Sequence, residues 1–156
     1  MPVQEMTQPV LRLGTEGERL ELAGFELVFK SPVPGSPEGW MAADCTLPAR
    51  QMGAPLHYHR KLTESFYVIS GELWIRVGDQ EAIAGPGSYA FVPPGTPHSF
   101  ANRSDAPVRF LGHASNVAHK DFLCELFAMI RNAPVWPPSD PSAMIELGER
   151  YDSVYL

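Results

Sequence analysis

The chain has 156 residues, 44% of them hydrophobic and 19% charged, which is enough to bury one ordinary core and argues for a single domain over 1–156 rather than disorder. Its formal net charge of −6, with no cluster of Lys and Arg, argues against a nucleic-acid partner. No apolar run approaches the roughly 18 residues needed to span a bilayer, and the opening MPVQEMTQPV has no basic segment leading into an apolar one. The expectation is a soluble cytoplasmic protein with no membrane partner.

In chain order, an N-terminal arm of about 1–19 precedes a β region of about 20–114 and a helical remainder of about 115–156. Runs rich in β-branched and aromatic residues predict strands over 20–29, 40–47, 65–70, 72–77, 88–92, 98–102 and 108–114. Turns separate several of them at Ser70-Gly71, Gly78-Asp79-Gln80, Gly85-Pro86-Gly87 and Pro93-Pro94-Gly95. The segment SPVPGSPEG, 31–39, reads as a mobile connection between strands. Glu16 and Glu18 read as a solvated turn.

After Ala114 the period changes. Phe122, Leu123, Leu126, Phe127 and Ile130 recur at three-and-four spacing and predict an amphipathic helix over about 119–131, with Met129 in its packing. Prolines at 134, 137 and 138 end it. Asp140 as N-cap and Pro141 in the first turn start a second helix to about Tyr151, with Met144, Ile145 and Leu147 as buried candidates. Cys45 and Cys124 match no metal or redox spacing and are expected to be buried free thiols.

The chemistry concentrates in His57-Tyr58-His59, Glu64 and His98. Alternate strand residues share a face, so His57 and His59 project together, about 6–7 Å apart along the backbone. Glu64 has the opposite parity, so residues 60–63 must turn or bulge to bring its carboxylate to the same side. Three imidazoles and one carboxylate suit one divalent transition metal ion (Fe, Mn, Ni, Cu, Co or Zn) and leave coordination positions open. A His-x-His pair alone is weak evidence; in order with Glu64 and His98 it is much stronger. His113 and His119 lie outside this set and read as structural or surface histidines.

Residues 57–71 read H-x-H-x4-E-x6-G, and residues 87–102 read G-x5-P-x-G-x2-H-x3-N. Together these resemble the two motifs of the cupin superfamily. That resemblance implies an all-β fold, a cupin-type jelly-roll β-barrel with a short C-terminal helical appendage. It implies His57, His59, Glu64 and His98 as metal ligands, and mainly architectural roles for Gly71, Gly87, Pro93 and Gly95. The family usually has glycine six residues before the first histidine; here Gln51 stands there, with Gly53 nearer. Asn102 reads as a strand end held by local hydrogen bonds.

From Leu20 onward the chain is also similar to single-domain bacterial cupins described as quercetin dioxygenase-like. APLHYH before the carboxylate and FLCELF in the helix carry this resemblance. It implies a metal-dependent dioxygenase, an oxidoreductase acting on a small hydroxylated or aromatic substrate, with Glu64 as candidate general base as well as ligand. Phe66, Tyr89, Phe91, Phe100 and Phe110 are the candidate substrate-pocket residues. Trp40 and Trp136 border loops, where they shield the mouth or pack at an interface. A metal-anchored small-molecule-binding barrel and a cupin isomerase or lyase stay open as alternatives. A homodimer is expected from the strand around Tyr67 and Ile69, apolar on both faces. The C-terminal helices either cap the barrel or pack across that dimer.

Overall fold

A computed structural model describes residues 9–33 and 39–156, so 1–8 of the predicted arm and 34–38 of the predicted connection lie outside the described residues. In chain order the elements are β1 (Glu18–Leu22), β2 (Phe25–Ser31), β3 (Met41–Leu47), β4 (Gln51–His59), β5 (Glu64–Ser70), β6 (Leu73–Val77), β7 (Gln80–Ala84), β8 (Tyr89–Val92), β9 (His98–Asn102), β10 (Val108–Ala114), α1 (Ala118–Asn132), α2 (Ser142–Arg150) and β11 (Ser153–Tyr155).

Strand alternation places the core. In β10, Val108, Phe110, Gly112 and Ala114 are buried while Arg109 and Leu111 face out; in β5, Glu64, Phe66 and Val68 point inward and Tyr67 and Ile69 outward. Two antiparallel sheets result, ordered β1-β2-β3-β10-β5-β8 and β11-β4-β9-β6-β7. Between them Phe66 and Phe110 of the first sheet meet Phe100 of the second, with ring centroids 5.3 Å and 5.5 Å apart.

The expected closed barrel is not what forms, because neither sheet closes on itself and the fold is two open sheets. The edges are built against further pairing. β8 has four residues and runs into Pro93 and Pro94, which have no N–H to donate; β7 stops at Gly85-Pro86-Gly87; β11 has only three residues. Along the β1 edge lies α1, tied by a Lys120–Glu18 ion pair and by Arg131 donating to the Glu21 carbonyl at 2.5 Å.

The strand predicted over 20–29 is a hairpin: β1 and β2 pair with Leu22 opposite Phe25, and Ala23 (φ 50°) and Gly24 (φ 84°) make the two-residue turn. Alanine is not a usual residue for that turn, which is why the run reads as continuous. β7 and β11 carry too little apolar periodicity to be legible, and β4 begins at Gln51, well before its histidines. Asn102 ends β9 through local bonds, its Nδ2 donating to the Ala106 carbonyl and its Oδ1 accepting from the Ser104 amide, and Nδ2 also donates to the carbonyl of distant Leu47.

The two helices agree closely with expectation. Phe122 and Phe127 of α1 are buried; in α2 Leu147 is buried, while Ile145 is 48% exposed because a two-turn helix touches the body along one side only. Helix α2 starts later than expected, so its N-cap position falls on Pro141 rather than Asp140, whose Oδ1 accepts from the Ser142 amide at 2.9 Å from just outside the helix. Cys45 is buried and Cys124 half-buried, both free thiols. Among the described residues no helix is long and apolar enough to cross a membrane.

Gly53, on bulged β4, is where the sheet meets its own core: a Cβ there would lie 2.0 Å from Cε2 of Phe100. Gly53→Ala must displace that ring and is expected to cost about 1–3 kcal/mol, as overpacking of a core does. Urea denaturation reads this; an unchanged midpoint would show that Phe100 yields freely.

Candidate metal centre

Four side chains converge from three strands. His57 and His59 are inward residues of β4, His98 begins β9 directly opposite His57 in register, and Glu64 begins β5. Between β4 and β5, residues 60–63 leave the ladder and turn. Asp152, from the C-terminal segment, holds this turn: its Oδ1 accepts from the Arg60 amide (2.9 Å) and its Oδ2 from the amides of Lys61 (2.8 Å) and Leu62 (2.9 Å). The turn thus brings Glu64 back to the face of the two histidines.

Each of the three histidines has its Nδ1 against a backbone carbonyl: Pro55 for His57 (2.8 Å), Asp152 for His59 (2.9 Å) and Thr96 for His98 (2.9 Å). A neutral ring that donates Nδ1–H presents its Nε2 lone pair, the arrangement of a metal-binding histidine. All three Nε2 atoms face Glu64 Oε2, at 4.0 Å from His57, 3.0 Å from His59 and 2.7 Å from His98. The four ligand atoms lie within 4.8 Å of one another, and all four residues are buried. Lone pairs of three imidazoles and a carboxylate at such separations repel unless a proton or cation sits among them, so the donor set fits a divalent metal ion.

A cavity of about 100 Å³ opens against this cluster, lined by His57 and Glu64 together with Phe66, Phe100 and Phe110. Tyr89 and Phe91 are placed elsewhere, 63% and 55% exposed, because alternation in β8 turns Ala90 and Val92 inward instead. Phe122, Leu123, Leu126 and Phe127 of α1 also line the cavity, so this helix covers it. Trp136 is 38% exposed; Trp40, 43% exposed, stacks against half-buried His113, which also touches the cavity, at a centroid distance of 5.5 Å.

Sequence reasoning does not place Asp152, Tyr155, His113 or His119 at the site. Asp152 and Tyr155 sit in a tail with no motif; Tyr155 lines the cavity, and burial pushes its phenol up to about 12, which keeps it protonated. His119 was read as structural or surface, yet it is 6% exposed and its Nε2 lies 3.3 Å from Glu64 Oε1. Its place at the apolar edge of an amphipathic helix was the available signal.

Electrostatics follow from burial and crowding. Burial, then the neighbouring His98, pushes His57 down to about 4 from an ordinary 6.5. Burial would raise Glu64, but hydrogen bonds from His119, His59 and His98 outweigh it and hold the carboxyl well below its usual range. At His59 burial acts downward and the bond to Glu64 prevails, raising it.

These directions give metal-free protein an acid-labile window. As pH falls from 6.5 toward 4 the unfolded chain takes up the His57 proton before the folded one, so stability drops; below 4.5 the depressed Glu64 adds to the loss. His59 has the opposite sign, its contribution being complete below 6.5 and lost only as pH rises through its folded value. Thermal melts of chelator-treated protein are expected to show the fall above pH 4.5, and His57→Gln to flatten it there. A parent profile already flat in that interval would contradict the assignment.

The fold and site define a two-sheet antiparallel protein with a buried cluster of three histidines and one glutamate, able to hold a metal ion, beside an apolar cavity. Residues 43–113 match the family described as cupin domain. No curated protein matches the chain significantly by sequence. Among solved structures, a sugar phosphate isomerase of the cupin superfamily from Silicibacter pomeroyi is similar at 26% identity, with a TM-score of 0.54 over 60% of each chain. The chain thus spans less than two thirds of that isomerase's length. KdgF from Halomonas sp. is similar with a TM-score of 0.60 at 14% identity, over 72% of this chain and 99% of its own. Oxalate decarboxylase from Lactobacillus farciminis is similar with a TM-score of 0.54 at 22% identity, over 64% of this chain and 31% of its own. The last two likenesses show the fold alone, and none of the three is named a quercetinase.

Proposed function

We propose that the protein is a metal-dependent cupin enzyme of isomerase or lyase type, acting on a small, largely apolar molecule with a hydroxyl or enolisable carbonyl. The observation that carries this reading is the His57, His59, Glu64 and His98 cluster opening onto a cavity whose wall is mostly apolar. Among the described residues lining that cavity none is Lys or Arg, so a phosphorylated substrate such as the similar isomerase's name states would find no ammonium or guanidinium partner there. A bound divalent cation would supply Lewis-acid polarisation of a substrate oxygen.

The chain's own residues do the rest. Among the described residues lining the cavity Glu64 alone carries a carboxylate, and it is the group to accept a substrate proton at a carboxylate oxygen. Phe66, Phe100 and Phe110 hold the apolar body of the substrate and exclude water, and Tyr155 offers a protonated hydroxyl.

The water-excluding wall also favours a second reading, the dioxygenase implied by the quercetinase-like resemblance. One experiment separates them: protein loaded in turn with Fe, Mn, Ni, Cu, Co or Zn is incubated with hydroxyketones, 3-oxoacids and hydroxylated aromatics, with and without oxygen. Anaerobic turnover absent from Glu64→Ala supports the proposal, and oxygen consumption supports the dioxygenase. Thermal stabilisation by a ligand without turnover supports a binding protein. Failure to retain any metal would sink all three.

Homodimerisation is part of the same proposal. Tyr67, Ile69, Tyr89, Phe91 and Leu111 are 46%, 38%, 63%, 55% and 37% exposed on the outer face of the six-stranded sheet, where Tyr67 lies opposite both Tyr89 and Leu111. Light scattering is expected to give twice the 17.2 kDa chain mass, and Phe91→Asp to return it to one chain. A parent protein that is a monomer at micromolar concentration removes this part of the proposal.

A further inference from the structure

We infer that His119 is a positioning residue for Glu64: it holds one carboxylate oxygen from helix α1 so that the other faces the three histidines. This inference rests on the metal-site reading above. The two oxygens of Glu64 have different surroundings. Oε2 faces His59, His98 and His57, whereas Oε1 has His119 Nε2 at 3.3 Å.

The ring environment selects the tautomer of His119. Its Nδ1 is fully buried and has no hydrogen-bond partner among the described residues, whereas its Nε2 lies beside a carboxylate. With the proton on Nδ1, a buried N–H would lack an acceptor and the Nε2 lone pair would confront an anion. With the proton on Nε2, that N–H donates to Oε1 and only an acceptor lone pair goes unused, the less costly state. His119 therefore differs from the three ligand histidines, each of which has a backbone carbonyl at Nδ1 and its Nε2 toward the centre.

Packing holds the donor in place. The ring is 6% exposed, stands edge-on to His59 at a centroid distance of 5.4 Å and lies against Phe122, one turn along α1, at 5.5 Å. A carboxylate whose outer oxygen accepts such a bond has its rotation restricted and binds a cation through its inner oxygen. Helix α1 thereby takes part in the site itself in addition to covering the cavity.

The test uses the full-length protein loaded with Co(II), whose visible absorption reports the ligand field, and the variants His119→Leu and His119→Gln. His119→Leu is expected to bind one equivalent of Co(II) roughly tenfold more weakly, with a changed spectrum, as loss of an outer partner of a metal ligand does. His119→Gln, whose amide N–H can reach the same oxygen, is expected to restore the parent spectrum. A leucine variant with parental spectrum and affinity, or a glutamine variant as disturbed as the leucine one, would overturn the inference. Should the leucine variant not fold, imidazole 15N shifts of metal-free parent protein decide it: an Nε2–H tautomer at His119 supports the inference and an Nδ1–H tautomer overturns it. That measurement needs neither metal nor substrate, so its outcome is separate from the fate of the proposed enzyme activity.

Discussion

His98→Ala is expected to remove high-affinity metal binding. The side chain is 1% exposed, starts central strand β9, and places Nε2 2.7 Å from Glu64 Oε2, the shortest approach in the cluster. Its loss takes away one of four donors and leaves a cavity that no neighbouring group can fill, since His57 and His59 are themselves locked by Pro55 and Asp152 carbonyls. Outer-shell losses weaken metal affinity by about 10–100-fold, and removal of a ligand is expected to exceed that range. Metal titration by calorimetry reads the affinity, and the metal-induced rise in melting temperature should vanish with it. A His98→Ala protein that binds metal as the parent does would place the centre elsewhere.

Asp152→Ala is expected to damage both stability and the metal centre, although Asp152 is no ligand. Its carboxylate accepts three consecutive backbone amides of the turn between β4 and β5, and its carbonyl accepts His59 Nδ1–H. Burial acts to raise this carboxyl, and the amides of Lys61, Leu62 and Arg60 outweigh it, holding it below its usual value. The residue also sits at φ 65°, in the left-handed region that Asp and Asn tolerate better than Ala. Alanine leaves the amides without their acceptor and strains the backbone, for an expected loss of about 2–4 kcal/mol. Metal affinity should fall by about 10–100-fold through a loosened His59. Asp152→Asn retains the backbone preference and one acceptor oxygen, so it should fall between the two. Urea denaturation of metal-free protein and a metal titration measure the effects separately. Parental values in both would mean that the C-terminal segment only rests against the site.

Each prediction depends on chain segments far apart in order. The histidine pair, the carboxylate and the last histidine were legible because strand parity and motif spacing are local properties. The turn over 60–63 was also legible, since Glu64 could not otherwise reach the side of His59. What holds that turn was not, because Asp152 lies some ninety residues further on in a tail without pattern. The same reasoning explains the cavity wall. Phe66, Phe100 and Phe110 face inward, whereas Tyr89 and Phe91 carry equal aromatic character on the opposite parity of a short edge strand.

The sequence by itself determined the β character, the two C-terminal helices and the set of His57, His59, Glu64 and His98 that converges. These depend on period-two and three-and-four patterns and on residue chemistry. Tertiary structure decided that the sheets stay open, that α1 covers the cavity, and that His119 and Asp152 belong to the site. The reason is physical: whether an edge strand finds a partner, or a helix lays one histidine beside a carboxylate, depends on packing between elements that share no sequence neighbourhood.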